Sequence, residues 1–244
     1  MWVELFLCLL LAHFVADFVF QTCKSCKDKA ERKWRSPHQY VHAMIVFALS
    51  WLATWTLGFW WCALIIGLLH LEIDIWKSYR EEKVTWFTLD QALHVIVVAG
   101  LSWLWCSHNE WSIPFGISTS VVAAAVATLV CWRPAIFFIK LMLKHYSVNM
   151  PVEHENGFNA GALIGTIERW LILIFVCLQQ YDALGLLIAA KSIIRFSEKD
   201  TAKTEYVLAG TLLSIFIAIV AGLLLGTVGD AYGLLQIRFS AFAH

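Results

Sequence analysis

The sequence predicts an all-α membrane protein, a polytopic bundle of about eight transmembrane helices (seven to eight) with an additional interfacial amphipathic helix. Hydrophobic residues make up 60% of its 244 residues and charged residues only 15%, and the mean hydropathy is +0.69. A typical soluble domain is roughly 45–50% apolar and about 25% charged. In addition, apolar runs of about 20 residues, the length that spans a bilayer, recur along the whole chain.

The apolar runs define the predicted spans and the organisation of the chain. The spans cover residues 2–22, 38–57, 59–76, 85–106, 116–132, 158–180, 182–197 and 204–227. After the fifth span, residues 134–147 carry their basic side chains on one side of an apolar helix, which is typical of an interfacial helix. Within one integrated membrane domain we predict a five-span half (1–132), an interfacial segment (133–157) and a three-span half (158–244).

The placement of basic residues predicts the orientation. Lysine and arginine are concentrated in residues 23–37, 77–84, 133–157 and 196–203, whereas the alternate connections have none. By the positive-inside rule, the basic loops are expected in the cytoplasm and both termini outside. The net formal charge is zero, so the composition predicts no nucleic-acid partner. The lipid bilayer is the predicted partner.

Histidines and acids recur four residues apart towards the ends of the first four predicted spans. The pairs are His13 and Asp17, His38 and His42, His70 and Asp74, and Asp90 and His94. Residues at this spacing point the same way on a helix, and the predicted orientation places all four pairs towards the cytoplasm. Ionisable groups at membrane depth are costly and are therefore candidates for function.

Neutral imidazole and carboxylate groups together suit zinc, manganese or iron(II), and zinc is the ion that we favour. The predicted metal ligands are His13, Asp17, His42, His70, Asp74, Asp90 and His94. We expect the pairs of the third and fourth spans to complete one centre. Residues of the first two spans would supply a second metal or orient the first ligands. Asp90 and His94 are also predicted to be catalytic. The alternative, that each pair only forms a hydrogen bond within its helix, stays open.

A second set of charged residues lies in the sixth and seventh spans. Arg169, Lys191 and Arg195 are predicted to bind a phosphate or carboxylate of a substrate, since guanidinium groups bind oxyanions in bidentate fashion. Glu168 would be their partner or a proton carrier. The alternative is that these charges only neutralise one another.

The cysteines give no strong signal. The seven of them are scattered along the chain, which is not the pattern of a disulfide scaffold. Cys23 and Cys26 form a CxxC motif, but no second CxxC follows to complete a zinc knuckle.

Six stretches of the chain resemble a bacterial integral-membrane family known as domain of unknown function 3307. They are LLLAHFVADFVFQT, HLEIDIWK, FTLDQALH, GALIGTIERWLIL, AAKSIIRF and EYVLAGTLLS. The resemblance implies a multi-pass protein of the bacterial inner membrane and brings no established activity. A more distant likeness, in residue types only, is to membrane-bound metal-dependent hydrolases.

Together these observations predict a metal-dependent hydrolase of a lipid-linked or phosphorylated substrate at the cytoplasmic leaflet, because metal-bound water is a nucleophile at neutral pH. The alternative is a transporter of a divalent cation or of a proton-coupled solute. A transport site usually lies near the midplane between repeats, whereas this cluster is predicted towards the cytoplasm and no repeat is found. A third class is a scaffold whose polar groups only fix helix packing. Whether the chain forms a homo-oligomer is left open.

Overall fold

The structure is a computed structural model that describes residues 2–146, 160–195 and 201–231. Throughout those residues the secondary structure is helical and no strand occurs, which confirms the predicted all-α fold class. The chain divides into two compact units, Met1–Val126 and Ala127–His244.

Within the described residues, five segments are long and apolar enough to cross a membrane. They are Trp2–Phe20, Leu57–Ser78, Val84–His108, Thr119–His145 and Tyr206–Gly229. The predicted count of about eight spans is therefore not confirmed. Helices do form at the other three predicted positions, over Pro37–Thr54, Ala160–Cys177 and Tyr181–Arg195, and the last two border residues outside the described ranges.

The first unit contains five complete helices in its described residues and the start of a sixth. They are α1 (Trp2–Val15), α2 (Cys23–Arg32), α3 (Pro37–Thr54), α4 (Trp60–Ser78), α5 (Val84–His108) and α6 (Thr119–Val130), which continues into the second unit. A π-helical turn, Ala16–Phe20, extends α1. Such wide turns are rare and often occur at functional sites.

Four of these helices form a closed ring. α1 contacts α3 and α5, and α4 contacts the same two helices from the other side. Apolar side chains such as Leu5, Val46 and Ile66 are buried between them. α3 and α4 approach closely at Gly67, where an added Cβ would lie 3.2 Å from the carbonyl oxygen of Ala43.

Local signals set the short α2 beside this ring. Thr22 caps its N-terminus through a reciprocal capping box with Ser25, which satisfies backbone donors that the helix leaves open. Pro37 then starts α3 at the first helical position, where its missing N–H costs nothing. At the end of α2, the Lys33 ammonium donates to the Ser78 carbonyl oxygen at the end of α4.

The second unit contains α7 (Arg133–His145), α8 (Ala160–Cys177), α9 (Tyr181–Arg195) and α10 (Thr201–Ala231). α10 packs on α7 and α8, and α8 contacts α9. At Gly222 of α10, an added Cβ would lie 2.7 Å from the Val176 side chain, so α8 and α10 are in close contact there. α7 matches the predicted amphipathic helix in position, but it also belongs to the apolar segment Thr119–His145. Its interfacial location stays a prediction.

Candidate metal centre

The structure brings the seven predicted metal ligands together inside the four-helix ring of the first unit. α1 and its π-helical turn supply His13 and Asp17, α3 supplies His42, α4 supplies His70 and Asp74, and α5 supplies Asp90 and His94. None of the seven side chains is more than 13% exposed. The i,i+4 spacing and the ring geometry together explain this convergence, because α1, α4 and α5 each turn their pair inward. α3 contributes His42 alone.

Three donor atoms form a compact triangle at the centre of this cluster. Asp17 Oδ1 lies 3.2 Å from His42 Nε2 and 3.5 Å from His70 Nε2. The two histidine Nε2 atoms are 3.0 Å apart. A tetrahedral zinc ion with ligands at about 2.0–2.1 Å separates its ligand atoms by about 3.3 Å. The triangle therefore has the size of one face of a tetrahedral site.

Asp74 lies beside this triangle. Its Oδ2 atom is 3.9 Å from Nε2 of His42 and 3.9 Å from Nε2 of His70. The same oxygen accepts a 2.6 Å hydrogen bond from the ammonium group of Lys29 on α2. Asp74 can therefore act as a fourth ligand or accept a hydrogen bond from a water in that position.

Asp90 and His94 form the other side of the cluster. Asp90 Oδ2 accepts hydrogen bonds from the ammonium group of Lys77 at 2.6 Å and from the amide of Gln91 at 3.1 Å. His94 Nδ1 donates to the carbonyl oxygen of Asp90 at 2.9 Å. Donor atoms of Asp74, Asp90 and His94 all lie within 4.8 Å of one another. We expected His70 and Asp74 to share one centre with Asp90 and His94. In the structure, Nε2 of His70 lies 3.0 Å from His42 Nε2 and 3.5 Å from Asp17 Oδ1.

The imidazole rings link the two sides. The His94 ring stacks on that of His13 at a centroid distance of 4.9 Å and lies 4.1 Å from that of His70. Nδ1 of His13 is 3.8 Å from Asp17 Oδ1. Four histidines therefore line one continuous polar interior.

His38, which forms a predicted pair with His42 on α3, does not join this cluster. His38 is 41% exposed, and its Nδ1 atom lies 2.9 Å from Asp28 Oδ2. The hydroxyl of Ser36 donates to the same carboxylate, and this hydrogen bond, with that to His38, holds the pKa of Asp28 below its ordinary value. His38 thus belongs to a separate network between α2 and α3.

The charges of the cluster favour a cation. The carboxylates of Asp17, Asp74 and Asp90 are opposed by the ammonium groups of Lys29 and Lys77, so with neutral histidines one negative charge is left over. An uncompensated charge in so buried an environment is costly. A bound divalent ion with two histidine and one or two carboxylate ligands fits this donor set.

The two lysines were not among the predicted site residues. Lys77 follows Asp74 at i+3, and this spacing could have indicated it. Lys29 lies among other basic residues in a polar stretch, and no feature of the sequence separates it from Lys27 or Lys33. The Cys23 and Cys26 thiols at the start of α2 are free and exposed.

The charged residues of the second unit are arranged differently. The ammonium group of Lys191 donates to the carboxylate of Glu168. Arg169 is 3% exposed and donates to the Cys131 carbonyl oxygen, the Ser214 hydroxyl and the Thr166 hydroxyl. The Arg195 side chain lies outside the described part of the structure. A role of this set in substrate binding stays a prediction.

The fold and the site define an α-helical protein with helices long and apolar enough to cross a membrane and with a group of histidines and aspartates that could bind a metal ion. Residues 5–122 match the family described as "Protein of unknown function (DUF3307)", so this stretch of the chain is similar to that family. The match includes all seven candidate ligands and confirms the family resemblance. The last three of the resembling stretches lie beyond residue 122, outside the match. No match was found among curated proteins or solved structures.

Proposed function

We propose that the protein is a metal-dependent hydrolase of the bacterial inner membrane, acting on a phosphorylated or lipid-linked substrate at the cytoplasmic leaflet. The observation that carries the proposal is the triangle of Asp17 Oδ1, His42 Nε2 and His70 Nε2, with sides of 3.0 to 3.5 Å. Three protein ligands with a fourth position for water are typical of catalytic zinc sites, whereas structural sites use four.

The chemistry follows from the groups beside the triangle. A metal ion in this position would activate a water molecule and polarise the ester of the substrate. Asp74 would accept a proton from that water, since its Oδ2 atom lies 3.9 Å from both histidine Nε2 atoms. Lys29 holds this carboxylate in place through its 2.6 Å hydrogen bond. Asp90 and His94 would then act as the acid and base that pass this proton to the oxygen of the leaving group.

The surroundings of the site support an anionic substrate. Lys29 lies on α2, and the exposed side chains of Lys24, Lys27 and Arg35 lie on the same helix and the turn that follows it. A basic helix beside a bilayer attracts anionic head groups by roughly 1 kcal/mol for each basic residue near the surface. This charge distribution places a basic surface next to the carboxylate of Asp74.

The first experiment measures metal. The protein is purified in detergent after growth with zinc, manganese and iron, and its metal content is determined by elemental mass spectrometry. We expect at least one ion per chain, which is lost in the double variant His42→Ala/His70→Ala. The control is His108→Ala, since His108 is an exposed histidine at the end of α5. A folded wild-type protein without metal would show the proposal to be wrong.

The second experiment measures hydrolysis. Vesicles that contain phosphatidic acid, a phosphomonoester lipid, are mixed with the metal-loaded protein, and released phosphate is measured. Release should stop with a chelator and in the double variant. If the protein still binds metal but hydrolyses none of a panel of phosphate and ester lipids, the proposed hydrolase activity is wrong.

A divalent-cation carrier is the second candidate, and the deep burial of the ligands favours it. The Nε2 atoms of His42 and His70 belong to side chains only 6% and 2% exposed, which suits an ion more readily than a large substrate. In proteoliposomes, a carrier would move manganese across the membrane, and the double variant would not. A hydrolase would give no flux.

A further inference from the structure

The Asp90 and His94 side of the cluster has features of a second cation position. The donor atoms of Asp74, Asp90 and His94 lie within 4.8 Å of one another. Asp74 also groups with His42 and His70, so it belongs to both sides of the centre. A carboxylate shared in this way is placed to bridge two ions.

The second observation is a set of buried atoms that lack hydrogen-bond partners. His94 Nδ1 donates to a carbonyl oxygen, which can only accept, so in the neutral ring Nε2 has a free lone pair. Among the residues that the structure describes, this Nε2 atom has no hydrogen-bond partner, and neither has Asp90 Oδ1, although both side chains are at most 3% exposed. Unpartnered buried acceptors are uncommon because their desolvation is not compensated. Both therefore point to a ligand.

The third observation is that a flexible side chain, that of Lys77, occupies this position. The Lys77 ammonium donates to Asp90 Oδ2 at 2.6 Å, and the Lys77 side chain is 36% exposed. A lysine side chain has a flexible four-carbon stem, so Lys77 can withdraw towards solvent. Lys29, at 8% exposed, is enclosed. Lys77 is therefore the group that can exchange with an incoming ion.

We propose that Asp74, Asp90 and His94 form a second divalent-cation site, bridged to the first by Asp74, for which the ammonium of Lys77 competes. The inference rests on the proposed metal centre and makes it binuclear. When the second ion is bound, Asp74, Asp90 and His94 act as its ligands, and that ion replaces their acid–base role at the leaving oxygen. Two ions about 3.5–4 Å apart stabilise both the attacking and the leaving oxygen of a displacement. Competition with Lys77 makes the second ion bind more weakly than the first, so occupancy of this site depends on the metal concentration.

The test uses Mn²⁺ alone with metal-free full-length protein in detergent. Binding is followed by calorimetry, and the distance between ions by electron paramagnetic resonance, which detects exchange coupling between neighbouring Mn²⁺ ions. The wild-type protein should bind one ion tightly and a second at least roughly tenfold more weakly, a difference of about 1.4 kcal/mol. Lys77→Met should lower the Kd of the second ion by about tenfold or more and increase the signal from exchange-coupled ions.

A further variant separates the two sites, and another is its control. Asp90→Asn should abolish the second ion and the coupled signal while the first ion is kept. Lys83→Met is the control, because Lys83 is an exposed lysine between α4 and α5 that pairs with Glu81, and it should behave as the wild type. Lys77→Gln repeats the test if Lys77→Met does not fold.

The possible failures are distinct. A single ion in the wild type and in both Lys77 variants, without a coupled signal, would overturn the second site and leave the proposed function standing. A second ion that persists in Asp90→Asn would also overturn it. No bound ion in any protein would overturn both proposals.

Discussion

The two units of this protein treat buried charge in different ways. In the first unit, Asp90 Oδ1 and His94 Nε2 are buried and have no hydrogen-bond partner within the described ranges, and three other candidate ligand atoms lie 3.0 to 3.5 Å from one another. In the second unit, Lys191 pairs with Glu168, and Arg169 makes three hydrogen bonds to neutral groups. The first arrangement leaves lone pairs for a ligand, and the second uses its donors within the protein.

The difference shows what separates a site from a structural polar network in a membrane bundle. Both regions contain charged residues at helical spacing within apolar runs, so residue type and position look alike. The distinguishing feature is the set of partners, because buried polar groups are normally hydrogen-bonded. Arg169 meets this rule through three hydrogen bonds, whereas Nε2 of His94 has no partner among the described residues.

Arg169→Leu should have the largest effect on stability among the substitutions that test this comparison. The change removes three hydrogen bonds from a charged donor and leaves the Cys131 carbonyl oxygen and the Ser214 hydroxyl without that donor. Since each such bond contributes about 1.5–3 kcal/mol, and removal of a buried charge offsets part of this, we expect a loss of about 3 kcal/mol. Unfolding in mixed micelles measures the loss.

The metal content of the same variant gives the contrast. Arg169→Leu should keep the metal of the wild type, since every candidate ligand lies in the first unit. Arg169→Lys, which keeps the charge but lacks the planar fork, should recover only part of the stability. Loss of metal from folded Arg169→Leu would contradict the separation of the two regions.

Each unit has a glycine at a close contact between two helices, so the same substitution can be made in both. Gly67→Ala would place a Cβ 3.1 Å from Phe47 Cβ, and Gly222→Ala would place one 2.7 Å from the Val176 side chain. Overpacking of this kind costs about 1–3 kcal/mol, so both variants should unfold more easily. Only Gly67→Ala should also weaken metal binding, because it pushes α3 from α4 and so separates His42 from His70.

Gly100→Ala is the matched control for both variants. No atom lies within 4 Å of the added Cβ at this position in α5, and alanine favours a helix over glycine by roughly 1 kcal/mol. Its stability should therefore stay level or rise. Equal metal affinity in Gly67→Ala and the wild type, measured by calorimetry, would show that the contact between α3 and α4 does not set the ligand distances.

The helical fold could be predicted from the sequence because apolar runs and polar breaks are local signals. A helix forms at every predicted span, from Trp2–Val15 to Thr201–Ala231. The number of spans stays a prediction. Five segments of the described residues are long and apolar enough to cross a membrane, and α8 and α9 each border residues outside the described ranges.

The sequence predicted which residues lie together in the candidate site, but not which of them are close enough to bind the same ion. The i,i+4 pairs and the basic loops predicted that four helices would meet, and the seven side chains do lie together. The pairing of Asp17 with His42 and His70 depends on the π-helical turn and on how each helix rotates, which no short-range pattern encodes. Lys29 could not be predicted, since its contact with Asp74 joins residues 45 positions apart.

The network of Asp28, Ser36 and His38 extends the comparison to a polar group outside the apolar spans. His38 resembles the histidines of the cluster in sequence, but it has a carboxylate partner in Asp28. The Ser36 hydroxyl and His38 hold the pKa of Asp28 below its ordinary value of 3.8. A lowered folded-state pKa contributes stability above the ordinary value, and this contribution is lost as the pH falls through the folded value.

Asp28→Asn should therefore have the smallest effect of the series, and one that depends on pH. At pH 7 the variant should melt slightly below the wild type, and the gap should close as the pH falls below 3.8, where Asp28 of the wild type becomes protonated. Melting in detergent with a chelator present measures this without interference from metal. Glu31→Gln, an exposed carboxylate of the same helix, should show no such gap. A constant gap between pH 7 and pH 3 would mean that Asp28 acts through packing and not through its charge, and a large loss of bound metal at pH 7 would place it with the cluster after all.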